Sequence, residues 1–243
     1  MKSTLNIPAL ALALTLGVAP AAHAQMKWTD KGFVNVNVGV QAPSHSLAAQ
    51  TTPDIYGEPA TITSTQDVGG GGFFDIAGGY KVWSNLVVGI GFTHVGSTAD
   101  MNVNAQIPDP VAFDSPRSVT TTVPDAKHSQ NAIHLMGTWM IPVTDKVDVG
   151  VQFGPTIWLV SQDIPSIPQI QEPGPTITSF PLEKQDKTTV GIHLGADIAY
   201  MFTPRYGAGV LLRYTWGSAD IAGTSDSVTV GGLQIGGGLR VRF

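Results

Sequence analysis

The chain has 243 residues, with 13 Lys and Arg against 18 Asp and Glu and a formal net charge of −5. That balance, with no basic stripe, argues against nucleic-acid binding. There is no cysteine, which excludes a disulfide framework, a thiolate metal site and a Cys nucleophile.

At the N-terminus Lys2 is a short basic region, Ala9 to Val18 is apolar, and Ala22-His23-Ala24 is a small-x-small cleavage site. This is the pattern of a secretory signal peptide, and the apolar run is too short for a spanning helix, which needs roughly 20 residues. Residues 1–24 are therefore assigned to the signal and 25–243 to the mature domain. No other long apolar run follows, yet 42% of the residues are hydrophobic and only 13% charged. A secreted chain of that kind must hide its apolar side chains in strands.

The alternation of strands begins at Gly32, where Val34, Val36, Val38 and Val40 alternate with Asn35, Asn37, Gly39 and Gln41. Residues 42–66, rich in Ser, Thr, Pro and Gln, read as a long loop. A second strand over about 73–82 and a third through Leu86, Val88, Ile90 and Phe92 form a hairpin around Trp83-Ser84-Asn85. In the connection 96–127, Met101, Val103, Ala105 and Ile107 still alternate, as do Val119, Thr121 and Val123. Pro108, Pro110, Pro116 and Pro124 interrupt these segments and suit edges and bulges. They are expected to extend strands three and four as a protruding sheet; an extra hairpin, giving ten strands, is the alternative.

Strand four runs through Ile133, Leu135, Trp139 and Ile141, and strand five through Val147, Val149, Val151 and Phe153. A bulge at Gly154-Pro155 is expected to shift the parity, because Trp158 would otherwise point inward. After a proline-studded loop over about 161–187, strand six sets Val190, Ile192, Leu194, Ile198 and Tyr200 against His193 and Asp197. Strand seven sets Tyr206, Val210, Leu212, Tyr214 and Trp216 against Arg213, and a loop over about 217–227 leads to strand eight.

That last strand carries Leu233, Ile235, Leu239, Val241 and Phe243 on one face and Gln234, Arg240 and Arg242 on the other. A soluble core does not want two arginines inside, whereas a membrane barrel accepts both faces, one toward lipid and one toward a polar lumen. Here the chain resembles the small eight-stranded outer-membrane β-barrel proteins, the outer membrane protein beta-barrel domain family with its OmpA-, OmpX- and OmpW-like members. The terminal Phe243, with Val241 and Leu239 at alternate positions, matches the assembly signal that the barrel-assembly machinery reads in that family. The resemblance implies an all-β, transmembrane, antiparallel up-and-down barrel in the outer membrane of a Gram-negative bacterium, with short periplasmic turns and long extracellular loops. It also implies contact with outer-membrane lipid and lipopolysaccharide. The soluble rival is an eight-stranded barrel of the lipocalin sort, which gives no reason for the loop asymmetry or for Phe243.

Inward positions supply a charged set: Asp75, Lys81, His134, Asp148, His193, Asp197, Arg213, Arg240 and Arg242. Eight strands leave a lumen that side chains nearly fill, so these groups are expected to pair as a salt-bridged plug, with a gated narrow pore as the competing reading. His45-Ser46, His94 and His128-Ser129 lie in or near extracellular regions, but adjacency in sequence makes no nucleophile and base. No catalytic residue, metal site or cofactor is assigned. The four loops hold twelve acidic and four basic residues, a surface suited to solubility or to an extracellular protein partner. The expected protein is a monomeric, non-enzymatic barrel with a structural or surface-interaction role. A conduit for small or hydrophobic solutes is the second reading and a lipid A-modifying enzyme the third.

Overall fold

A computed structural model of the chain describes residues 27–42, 45–68, 70–171, 176–219 and 228–243. Residues 1–24, expected from the sequence to be a signal peptide, and most of the fourth loop lie outside the described residues. The strands are β1 (Gly32–Gln41), β2 (His45–Thr51), β3 (Asp54–Ile55), β4 (Glu58–Pro59), β5 (Thr61–Val68), β6 (Gly72–Trp83) and β7 (Leu86–Ile107). They continue with β8 (Arg117–Pro142), β9 (Val147–Pro165), β10 (Gln169–Gln171), β11 (Thr176–Ser179), β12 (Leu182–Met201), β13 (Tyr206–Ala219) and β14 (Val228–Arg242).

Hydrogen bonding follows the order β7-β6-β1-β14-β13-β12-β9-β8, and β8 returns to β7. The result is a closed ring of eight antiparallel strands, which removes every sheet edge from the wall. The ten-stranded alternative does not hold. The extra strands β2 and β5 join only the outer end of β7, where Thr61 pairs with Gln106 and Gln66 with Met101.

Around the ring the alternation sorts side chains by environment. Val38, Ile90, Leu194, Val210 and Leu239 point outward and exposed, while Asp75, His134, Arg213 and Arg240 point inward and buried. Trp83, Phe202, Tyr206 and Phe243 mark the end with the tight turns, and Phe74, Tyr214 and Trp216 the end with the long connections. Aromatic girdles at both ends of an apolar band belong to a lipid-facing wall. At the seam, the Phe243 carbonyl accepts the N–H groups of Lys31 (2.6 Å) and Gly32 (2.9 Å).

Two segments read as loop are strand. Residues 42–66 contain the β2–β5 hairpin, and β9 and β12 run out to Pro165 and from Leu182, with the small β10–β11 hairpin between them. Their low hydrophobicity hid them, because beyond the bilayer the outward face meets water and needs no apolar side chain. β7 and β8 do extend past the band, and there the polarity of the sheet inverts. Val88, Ile90 and Phe92 face lipid, but Met101, Val103, Ala105 and Ile107 point inward into an apolar cluster with Ile55, Ile62 and Phe180. A bulge in β8 keeps the two strands in phase across the change: Ala99 pairs with Ala126 but Met101 with Val123, and Asp125 adopts φ 57°. Pro124, which has no N–H to give, sits at that irregularity.

The expected parity shift at Gly154-Pro155 is absent. β9 stays in register with β12 through His193↔Gly154 and Ile192↔Pro155, and Trp158 points inward at 0% exposure. Small neighbours make the room: Ala132 and Ala219 pack on it, and a Cβ at Gly217 would lie 3.1 Å from the indole nitrogen.

Because Val103 is 1% exposed in the extracellular cluster, Val103→Asp leaves an unpaired charge there at a cost of several kcal/mol. The expected outcome is a cap that limited proteolysis cuts within residues 96–127, on a barrel whose strand circular dichroism and heat-modifiable gel mobility are unchanged. Unchanged resistance to the protease would mean that the outer halves of β7 and β8 have no folded core.

Candidate functional site

Every strand of the ring contributes to one polar belt across the middle of the lumen. Asn37 on β1, Asp75 on β6 and Thr93 on β7 are cross-strand neighbours, and so are Gln41 on β1, Gln234 on β14 and Arg213 on β13. Arg213 joins the two rows. Its Nη2 donates to Asp75 Oδ2 (2.8 Å) and Thr93 Oγ1 (2.7 Å), and its Nε donates to Gln234 Oε1 (2.8 Å). Gln234 Nε2 donates to Gln41 Oε1 at 2.8 Å, and Asn37 Nδ2 to Asp75 Oδ1 at 2.9 Å. From Thr93 the belt continues through His134 on β8 (3.0 Å) and Thr156 on β9 (2.9 Å) to His193 on β12 (3.0 Å).

Counting donors assigns the protons along this path. Thr93 gives its one hydroxyl proton to the Asp75 carboxylate at 2.7 Å, so His134 Nε2 must donate to Thr93. His134 Nδ1 is then an acceptor and takes the Thr156 proton, which leaves His193 Nδ1 to donate to Thr156. With both rings taken as neutral, these roles put them in opposite tautomers, with ring centroids 4.9 Å apart. Among the described residues His193 Nε2 has no partner and neither has Arg213 Nη1, and these two residues stand on adjacent strands. The belt is open at that joint.

Below the belt, toward the tight turns, Arg240 grips Asp197 with two hydrogen bonds of 2.9 and 2.5 Å. Arg242 lies 3.8 Å from Asp148, donates to Asn35 Oδ1 (3.2 Å) and faces the rings of Phe33 and Trp28. Trp28 closes this mouth from the segment before β1. It is 2% exposed, its backbone N–H donates to Asn85 Oδ1 at 3.1 Å, and it packs with Phe33, Val87, Met136 and Met140. Lys81 is the clamp, donating to the carbonyls of Trp28 (2.8 Å) and Thr29 (3.2 Å). Lys81 therefore anchors the N-terminal strap at the mouth rather than joining a carboxylate in the lumen.

Higher up, Phe73 lies across Gly39 and Gly236. A Cβ on either glycine would approach its ring to 2.7 and 2.6 Å, so only glycine admits the ring there. Phe73 packs on Val95 and Leu211. Above it, Gln130, His128, Gln162 and Gln66 form a second chain of hydrogen bonds of 2.6 to 2.7 Å. Between the belt and this chain, Trp158 stands edge-on to His134 at 6.3 Å and packs with Val160, Val230 and Ala49 of β2. A cavity of about 20 Å³ beside Asn37, Asp75, Gln152 and Asp197 is room for about one water.

Of the nine charged residues named from the sequence, the fold pairs six as Asp75–Arg213, Asp197–Arg240 and Asp148–Arg242 and places both histidines in the belt. Sequence reasoning missed the uncharged members, Asn37, Gln41, Thr93, Thr156 and Gln234, all at inward parity. It also missed Trp28, which precedes the alternation. Of the histidines considered for catalysis, His128 is buried between Gln130 and Gln162, while His94 is on the outer face with Nδ1 2.8 Å from Asn131 Oδ1. Leu239, Val241 and Phe243 share the outward face of the seam strand and its end.

Arg213 is 1% exposed, and removing it strands the Asp75 carboxylate in the lumen. Arg213→Ala is expected to cost about 3–5 kcal/mol, and Asp75→Ala with Arg213→Ala less than the two single changes together. Urea unfolding of the refolded barrel measures both; additive losses would mean that the pair has no coupling.

Among curated proteins none is similar enough in sequence to match the chain. Solved structures similar to the chain include Neisserial surface protein A (12% identity, 87% of this chain and 97% of that one, TM-score 0.46). OprG from Pseudomonas aeruginosa is 10% identical over 91% of this chain and 99% of its own, with TM-score 0.46. The outer membrane protease OmpT from Escherichia coli is 11% identical over 92% and 100%, with TM-score 0.47. The outer membrane protein beta-barrel domain matches residues 9–243, and with that match spanning nearly the whole of a chain folded as a closed, lipid-faced ring, the protein belongs to that family.

Proposed function

We propose that this protein is a non-conducting, non-enzymatic anchor in the Gram-negative outer membrane and that its extracellular cap is the working surface. The observation that supports this reading is the lumen: side chains from all eight ring strands meet across it, with Trp28 below and Trp158 above. A passage would have to break buried hydrogen bonds whose members cannot stay unpaired at low cost. The cap has its own apolar core, which makes it a folded surface rather than a set of loose loops.

In this proposal residues 1–24 direct export and are removed, and the mature domain starts at residue 25. Leu239, Val241 and Phe243 are read by the barrel-assembly machinery, and the barrel works as a monomer in lipid and lipopolysaccharide. His128 is tied up between two glutamines and His94 faces away from the lumen, an arrangement that supports no hydrolytic pair.

The refolded protein is expected to be silent in a planar bilayer, and Arg213→Ala combined with Asp75→Ala, which removes the bonds that span the lumen, to give steady openings. Steady current through the unaltered protein would replace the anchor by the conduit. Alanine at His45, His94 and His128 is expected to leave the lipid A species of the host strain unchanged by mass spectrometry; loss of a modified species would make the protein an enzyme.

A further inference from the structure

The loop between β7 and β8, residues 108–116, is the far end of the longest strand pair. Val111 and Phe113 there are 89% and 80% exposed. They are not loose. Asp109 Oδ1 accepts the N–H groups of Val111 (2.8 Å) and Ala112 (3.2 Å), and Arg117 approaches the same carboxylate at 3.6 Å. Arg117 also donates to the Pro108 carbonyl (3.0 Å), and Glu58 Oε1 accepts the Asp114 N–H at 3.3 Å. Pro108, Pro110 and Pro116 restrict the backbone further. The loop is thus ordered in a shape that keeps a valine and a phenylalanine in water, and a pre-organised aromatic anchor is what gives contact energy at small entropic cost.

Neither the protein's own core nor its own membrane is the destination. β7 leaves the apolar band near Phe92, and the fifteen residues to Ile107 span as much as roughly 50 Å of strand at about 3.3 Å per residue. The charges beside the two apolar side chains are chiefly acidic: Glu58, Asp109 and Asp114. Two backbone N–H donors hold the Asp109 carboxyl below the usual carboxylate range. Acidic groups around the tip oppose an anionic bilayer and oppose a second copy of the same tip.

We infer that Val111 and Phe113 are the anchor of a protein-binding tip whose partner presents an apolar pocket rimmed by Lys or Arg. This inference rests on the reading of the cap as the working surface.

The absence of cysteine allows a single thiol at Ser115→Cys to carry an environment-sensitive dye. The full chain in zwitterionic nanodiscs is titrated with an amphipathic helical peptide of Leu and Lys, with its Leu and Glu counterpart, and with phosphatidylcholine vesicles with and without phosphatidylglycerol. A saturable shift with the Leu and Lys peptide alone is expected, weakened at least tenfold in the Val111→Ser, Phe113→Ser variant and weakened by added NaCl. The inference is overturned if the double variant responds like its parent, if the Leu and Glu peptide binds as well, or if only vesicles shift the dye, which would make the tip a membrane wedge. Bilayer recording on the same preparation separates the two levels. Current through the unaltered protein removes the anchor reading, whereas a silent barrel with an unresponsive tip removes this inference alone.

Discussion

The hydrogen-bonded belt at the level of Arg213 is the constraint on which the rest of the barrel depends. A narrow lumen in a lipid bilayer must be filled, and filling it with apolar side chains would leave a strand with two greasy faces and no preference for either. Polar side chains inside solve that problem but must satisfy one another. Here one arginine, one aspartate, two histidines and a set of Thr, Gln and Asn bond to one another with contributions from every ring strand, leaving His193 Nε2, Arg213 Nη1 and Asn37 Oδ1 open among the described residues. Each bond constrains the rotamers of both partners, so the belt adds to the backbone ladder in holding the wall's register.

The inversion of polarity along β7 and β8 connects the barrel to its cap. Within the bilayer the apolar residues look out; above it they look in, toward Ile62 and Phe180. The same strands therefore act as lipid-facing wall at one end and as half of a soluble β-structure at the other. The change falls between Phe92 and Met101 and defines the upper limit of the hydrocarbon on this side of the molecule.

Most of the ring was legible in the sequence because period-2 alternation survives wherever one face meets lipid. It was legible from Val34 to Val40 and from Val190 to Tyr200 without ambiguity. β2 and β5 were not, since a strand with water on one face and a small apolar cluster on the other shows little contrast: Thr61, Thr63 and Thr65 flank only Ile62. The charged lumen residues could be named from parity, but their pairing could not, because it depends on which strands stand across the ring from each other. Arg213 reaches β6, and Arg240 reaches β12, neither of which parity specifies. Trp158 was misread on the assumption that a tryptophan seeks the interface, when Ala132, Gly217 and Ala219 had left a space of its size inside.

The bond from Gln234 to Gln41 crosses the seam between the last strand and the first. Until that seam closes, Gln41 and Gln234 lack each other, and they must keep their hydration. A partly formed barrel is thus obliged to carry water into the bilayer. The kinetic consequence is that shedding this water and joining the two ends are a single event, so insertion is expected to lack a dry open intermediate. Any agent that holds the seam apart, whether a cellular factor or a detergent molecule, also holds the interior wet.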